Sequence, residues 1–169
     1  YRFTNPKQYN SIELMKYQRY SLEDRDIELA DIQSVLNSTD SVEEPEIPFP
    51  QADSFERVVN LCELLFDATK ISREEVTTTY DFDVRQTNYY TDAGRYLGLI
   101  ERVKDDGVSY ILTGEGKTVM AKGYRERQLG LAQAILRHRA FAIGLRLYLD
   151  KGEPPARGEI VSIMKDAYL

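Results

Sequence analysis

The stretch Asp83-Val84-Arg85-Gln86-Thr87-Asn88-Tyr89-Tyr90-Thr91-Asp92-Ala93-Gly94-Arg95-Tyr96-Leu97-Gly98 decides how this chain is read. Asp83 and Gln86 stand at the spacing at which each side chain satisfies the other residue's free backbone N–H at a helix start. Gly98 supplies the left-handed residue that ends a helix. Between these signals the spacing predicts a helix over 84–97. Thr87, Tyr90, Ala93, Gly94 and Leu97 share one side of it, where the small Ala93 and Gly94 let a neighbouring element come close. That side is expected in the core. The opposite side carries Arg85, Asn88, Tyr89, Asp92 and Arg95, with Tyr96 at its margin.

Directly after this helix, Leu99 to Lys104 and Val108 to Leu112 are β-prone, joined by Asp105-Asp106-Gly107, whose Asp-Gly step suits a tight hairpin turn. Directly before it, Ser72 and Glu75 repeat the capping spacing and open a short helix to about Thr79. Earlier still, from Ser54, residues Phe55, Val58, Val59, Cys62, Leu65 and Phe66 recur at three- and four-residue steps and predict a first core helix. Thr113 caps a further helix. Two more follow from Tyr124, with Leu129, Ala132, Ile135 and Leu136 on one and Phe141, Leu145 and Leu149 on the next. Lys151-Gly152-Glu153-Pro154-Pro155 ends them, and residues 157–167, carrying Ile160, Ile163 and Met164, read as a last helix. The expected class is mainly α. Within 51–123 the order helix, helix, helix, hairpin is that of a winged helix-turn-helix, with the hairpin as its wing. Residues 124–169 form a helical extension. Toward the N-terminus, apolar residues at helical spacings make 1–37 a helical segment. Residues 38–50 gather Ser, Thr, Asp and Glu with Pro45, Pro48 and Pro50, and are expected to be an extended linker that does not pack.

A chain of this length buries one or two small cores. No apolar run approaches the roughly 20 residues that cross a bilayer. The first residues have neither an initiator Met nor an apolar signal core, so the N-terminus reads as a cut end. A single Cys62 makes no internal disulfide, and its apolar neighbours make it a buried small hydrophobe, which fits a reducing compartment such as the cytoplasm. The net charge of −6 argues mildly against a nonspecific coat over nucleic acid. The two signs are segregated, however. Lys117, Lys122, Arg125, Arg127, Arg137, Arg139 and Arg146 face only Glu115 and Glu126 between residues 114 and 146, while acid concentrates in 23–31 and 40–46.

The run Arg85-Gln86-x-x-Tyr89-Tyr90-x-x-Ala93-Gly94-x-Tyr96-Leu97-Gly98-Leu99, with its following hairpin and Leu112-Thr113, resembles the winged-helix module associated with type II restriction endonucleases and related bacterial proteins. The likeness extends over residues 48–169. It implies sequence-specific binding of double-stranded DNA, as the recognition part of a restriction enzyme whose nuclease site, with any Mg²⁺ it uses, lies outside this chain. The helices at 141–149 and 157–167 resemble the first two of a second such unit, whose recognition helix would lie beyond Leu169.

Arg, Asn and Gln are the side chains able to make paired hydrogen bonds to guanine and adenine edges in the major groove. The candidate DNA-binding residues are therefore Arg85, Gln86, Asn88, Tyr89, Asp92, Arg95 and Tyr96 on the helix, with Arg102 and Lys104 on the hairpin. Asp92 is discordant, since a carboxylate repels phosphate unless it pairs with Arg95 or accepts from cytosine. The wing tip is acidic at Asp105 and Asp106, which weakens its claim to phosphate. The arginines after Gly123 either track a DNA backbone or face the acidic N-terminal segment. Two other function classes remain open on the same residues. One is a transcription regulator acting as a homodimer; the other is a protein-binding platform, with Tyr89 and Tyr96 packed on a partner such as a catalytic domain of the parent protein.

Other motifs are decoys. Gly116-Lys117-Thr118 lacks the earlier glycine of a phosphate-cradling loop, because Ile111 stands there. Glu115-Gly116-Lys117 has the Glu-x-Lys pattern of a Mg²⁺ nuclease with Asp105 and Asp106 upstream, but Glu115 falls at a helix start, where a carboxylate complements the helix dipole. His138 has no second His or Cys for a zinc set, so a surface or helix-packing role is expected. No catalytic residue, metal ligand or cofactor is assigned within the chain.

Overall fold

The structure, a computed structural model, describes residues 26–105 and 107–167. The expected helical segment before Asp26 lies outside the described residues, as do Asp106 and the last two residues. The order of elements is α1 (Leu29–Ser38), α2 (Phe55–Ala68), β1 (Lys70–Ser72), α3 (Arg73–Tyr80), α4 (Val84–Tyr96), β2 (Ile100–Asp105), β3 (Gly107–Leu112), α5 (Gly114–Met120), α6 (Tyr124–Leu136), α7 (Arg139–Lys151) and α8 (Arg157–Asp166). The protein is mainly helical with one small antiparallel sheet of order β1-β3-β2.

The helix starts follow from local chemistry. Ser54 accepts from the Arg57 N–H, Ser72 and Glu75 cap each other at α3, Asp83 and Gln86 do so at α4, and Thr113 accepts from Gly116 at α5. β1 is the element that the sequence pattern does not reveal. It has three residues, too few for a period-two signal, and forms because buried Ile71 pairs with Tyr110 of β3.

The main core lies between α2, α4, the sheet, α5 and α6. On α2 it runs through Val58, Leu61, Cys62 and Leu65. Phe55 and Phe66, expected in that stripe, are 40% and 44% exposed, because the stripe turns through Leu61 and leaves both phenyl rings at its edges. Burial pushes the Cys62 thiol up to about 12, so it packs as an inert hydrophobe. The α4–β2–α5 junction is tight. The Thr113 hydroxyl donates to the Gly98 carbonyl at 2.7 Å, and its N–H donates to Leu99 at 3.0 Å. A Cβ at Gly116 would collide with that same Leu99 carbonyl oxygen.

Two expected boundaries move. Leu131 and Ala134 of α6 belong to the main core, so residues 124–136 complete that unit instead of extending it. A second, smaller core begins after His138, where Ala140 of α7 meets Ile163 and Ala167. The expected linker over 38–50 has no helix or strand beyond the end of α1, yet it packs. Ile47 and Phe49 lie on the main core, and the Val42 N–H donates to the Arg137 carbonyl at 3.0 Å. The prolines remove backbone donors while the apolar residues between them face inward, so an extended segment covers the core without a partner strand. Residues 39–53 are a strap.

The glycine geometry gives a stability test. Gly116→Ala should cost about 2–3 kcal/mol through overpacking against rigid backbone. Gly114→Ala, where a Cβ meets nothing within 4 Å, should stay within about 0.5 kcal/mol. Urea unfolding midpoints of the two variants check this, and equal midpoints would contradict the close approach.

Candidate functional site

α3 and α4 are joined by Asp81, Phe82 and Asp83, with Asp81 left-handed at φ 53°. Aromatic stacking holds this turn. Phe82 stacks on Tyr80 at 5.1 Å and on Tyr90 at 4.8 Å, and the Arg57 guanidinium lies 5.5 Å from the Phe82 ring centre. Tyr90 donates to Asp53 of the strap, a bond that holds that carboxyl below its usual range. Thr77 and Thr87 share a 2.9 Å hydrogen bond across the helix pair. α4 therefore leaves the turn in a fixed direction, with Thr87, Tyr90, Thr91, Ala93 and Gly94 buried.

On the outer side of α4 the candidates divide by position. Arg85 and Gln86 are exposed near its start, and Asn88, Tyr89, Asp92 and Arg95 are half-buried. The Arg85 guanidinium lies over the Tyr89 ring at 5.3 Å and bonds its hydroxyl, so the two move as one unit. Gln86 spends its carbonyl oxygen on the Asp83 N–H, which leaves its amide N–H groups as donors. Asp92 pairs with Arg95 at 2.6 Å, which neutralises the discordant carboxylate but also occupies the arginine. On the hairpin, Arg102 and Lys104 are exposed and make no ion pair among the described residues, while Asp105 is tied to Lys70 at 2.5 Å.

Tyr96 departs from expectation. It is 2% exposed, although its register sets it among the outer residues. The cover comes from outside the helical pair. Its ring stacks on His138 at 4.2 Å and meets Phe49 edge-on at 5.7 Å, and its hydroxyl donates to Glu44. His138 Nδ1 is 3.2 Å from the same carboxylate oxygen, with the imidazole 1% exposed. Nδ1 therefore carries the proton, leaving a bare lone pair on Nε2, which is buried without a partner. Burial pushes the imidazole below its ordinary value, outweighing the opposing carboxylate. His138 thus takes the packing role, and Glu44, which sequence reasoning passed over, holds the strap to two other elements. The available signal was Ile47 and Phe49 alternating between prolines.

Downstream of Glu44 the strap runs along α4. Pro48, Phe49, Pro50 and Gln51 face Arg85, Asn88, Tyr89 and Asp92 across a shallow cavity of about 150 Å³.

The arginines after Gly123 are mostly committed within the fold. Arg125 pairs with Asp31 at 2.6 Å, Arg127 with Glu63 at 3.1 Å, and Arg137 grips both Glu115 oxygens. Arg146 donates to Asn37 and to the Leu36 carbonyl. Arg125 thus faces the acidic N-terminal segment, and Glu115 serves Arg137 and the start of α5. Among the described residues no cluster of His, Cys, Asp and Glu is disposed to hold a metal ion, and no helix is long and apolar enough to cross a membrane.

Residues 57–169 match the model of the domain of unknown function DUF7226, and the chain belongs to that family. No curated protein and no solved structure matches it.

His138 sets a pH test. The unfolded chain takes up a proton there near 6.5, whereas the folded imidazole resists protonation until lower pH. The stability it contributes is therefore full above 6.5 and is lost as pH falls through that value toward the folded one. Urea midpoints should drop between about pH 7.5 and about pH 5.5 in the wild type, and by clearly less in His138→Phe, which keeps the stack on Tyr96 but cannot titrate. Equal drops would remove His138 from the balance.

Proposed function

We propose that this member of the DUF7226 family is a winged helix-turn-helix module that binds double-stranded DNA with sequence specificity, using α4 as the reading helix and the β2–β3 hairpin as the wing. The order α2, β1, α3, α4, β2, β3, a short turn between α3 and α4, and a sheet in which β1 joins the hairpin support the winged-helix assignment. The observation that carries the DNA reading is the pairing of exposed Arg85 and Gln86 with half-buried Asn88 at the start of α4. These side chains match guanine and adenine edges, and readers of this type use the N-terminal part of the helix. Arg102 and Lys104, both exposed, suit phosphates flanking the contacted bases. The resemblance to restriction endonuclease modules supplies the setting: recognition here, cleavage and its Mg²⁺ in another region of a parent enzyme.

A second reading is favoured by one feature. Val84, the first residue of α4, is 56% exposed beside Asp81 and Asp83. An apolar tip flanked by carboxylates suits a basic protein partner better than a phosphate backbone, which makes a protein-binding winged helix the alternative.

Selection from random duplexes distinguishes the two. A DNA reader enriches a defined sequence and loses affinity steeply with salt. Arg85→Ala or Asn88→Ala should relax preference at one or two base positions, by about 1–3 kcal/mol each. Lys104→Ala should weaken all duplexes alike and lower the salt slope by about one. Failure to enrich any duplex would overturn the DNA reading in favour of the protein platform.

A further inference from the structure

Between α1 and α2 lies a segment that the proposed function does not use. The strap over 39–53 is acidic at its start, with Asp40, Glu43 and Glu46 exposed and free of hydrogen bonds and ion pairs among the described residues. Its middle is fastened by Glu44, whose carboxylate receives the Tyr96 hydroxyl and faces His138 Nδ1. Phe49 adds a stacked contact on Phe141 at 5.4 Å. Beyond that point the strap stands over the outer side of α4, separated from Arg85, Asn88, Tyr89 and Asp92 by the small cavity.

We propose that this strap is an autoinhibitory cover, latched by Glu44, that competes with the DNA backbone for the outer side of α4. The inference rests on the DNA-reading proposal above. A duplex seated on Arg85 and Asn88 meets Pro48–Gln51 directly, and where its backbone runs on past the Tyr96 end of α4 it meets the acidic stretch beside Glu44, so the strap opposes docking both sterically and by charge. The latch is of the kind that opens as a unit. It is one carboxylate with two buried partners, and its second oxygen, Glu44 Oε1, is buried without any. Such a site is poorly compensated in the closed state and gains hydration when it opens. The strap has no ladder of backbone hydrogen bonds to break as it lifts; the hydrogen bonds and ring contacts of Val42, Glu44, Phe49 and Asp53 hold it.

The test combines duplex binding with amide hydrogen exchange on the whole chain. Asp40→Asn/Glu43→Gln/Glu46→Gln removes charge without touching a contact, and Asp150→Asn/Glu153→Gln/Asp166→Asn removes the same charge from α7, α8 and their connection. The strap triple should tighten binding to the selected duplex by about tenfold, and the distant triple by clearly less. Glu44→Ala should speed exchange across residues 40–53 and also tighten binding. Equal effects of the two triples, weaker binding by the strap triple, or faster exchange with unchanged affinity would each overturn the cover. In those cases the wild type still binds duplex and the DNA reading survives. If neither wild type nor any variant binds duplex, the DNA reading fails and the cover with it.

Discussion

Tyr96 is the side chain on which the arrangement of the molecule depends. Its register in α4 directs it away from the core that Thr87, Tyr90 and Gly94 enter, yet it is buried. Burial of a tyrosine needs a partner for its hydroxyl, and the partner is Glu44, more than fifty residues earlier in the chain. The same ring carries His138 on its face and Phe49 against its edge. One side chain therefore joins the strap, α4 and the start of α7. A hydrogen bond to a carboxylate contributes about 1.5–3 kcal/mol, and the rings add apolar contact. The consequence is an α4 with two unlike ends: the C-terminal end sealed by direct contact, and the N-terminal end with Arg85 and Gln86 exposed, where the strap faces Arg85 only across the small cavity.

The charge distribution supports the same division. In sequence, the arginines after Gly123 either track a DNA backbone or face the acidic N-terminal segment. In the fold most of them are spent as staples: Arg125 ties α6 to α1, Arg127 ties α6 to α2, and Arg137 ties the end of α6 to the start of α5. α1 has no basic residue in its last turn, and Arg146 donates to that end from α7. Each partly exposed pair contributes at most about 1 kcal/mol, but together they fix where the helices sit. Among the described residues, the positive charge next to α4 and the hairpin that makes no ion pair includes Arg57, Arg85, Arg102 and Lys104. For the proposed DNA reader, this means that short-range base contacts must carry more of the affinity than electrostatic steering does.

Local signals were fully legible, and long-range ones were not. Ser72, Asp83 and Thr113 each announce a helix start by residue type, and each side chain accepts a backbone N–H there. The Asp-Gly hairpin and the core side of α4 follow equally from patterns a few residues long. β1 was hidden because three residues carry no period. The strap was hidden because its prolines suggested a spacer, whereas Ile47 and Phe49 gain enough burial to fasten it. Tyr96 was assigned outward because a helical register describes one helix, and its cover is supplied by Glu44, Phe49 and His138 from distant parts of the chain. Asp92 was read correctly in its alternatives: it pairs with Arg95.

Buried apolar surface is unevenly spread among the described residues. The main core draws on α2 through α6, while among the described residues α7 and α8 share a buried cluster of Ala140, Ile163 and Ala167, with Ile143 and Leu147 beside it. Tyr148, Ile160 and Val161 remain exposed on that pair. Among the described residues the α7–α8 pair thus buries less apolar surface than the main core. Among the described residues its contacts with the rest of the fold include His138, which immediately precedes α7 and belongs to the Tyr96 cluster, Phe141 under Phe49, and Arg146 against α1. The strap and the α7–α8 pair therefore hold on through shared groups. Tyr96 of α4, Glu44 of the strap and His138 at the start of α7 form one contact cluster, which is the physical link between the outer side of α4 and the C-terminal helices.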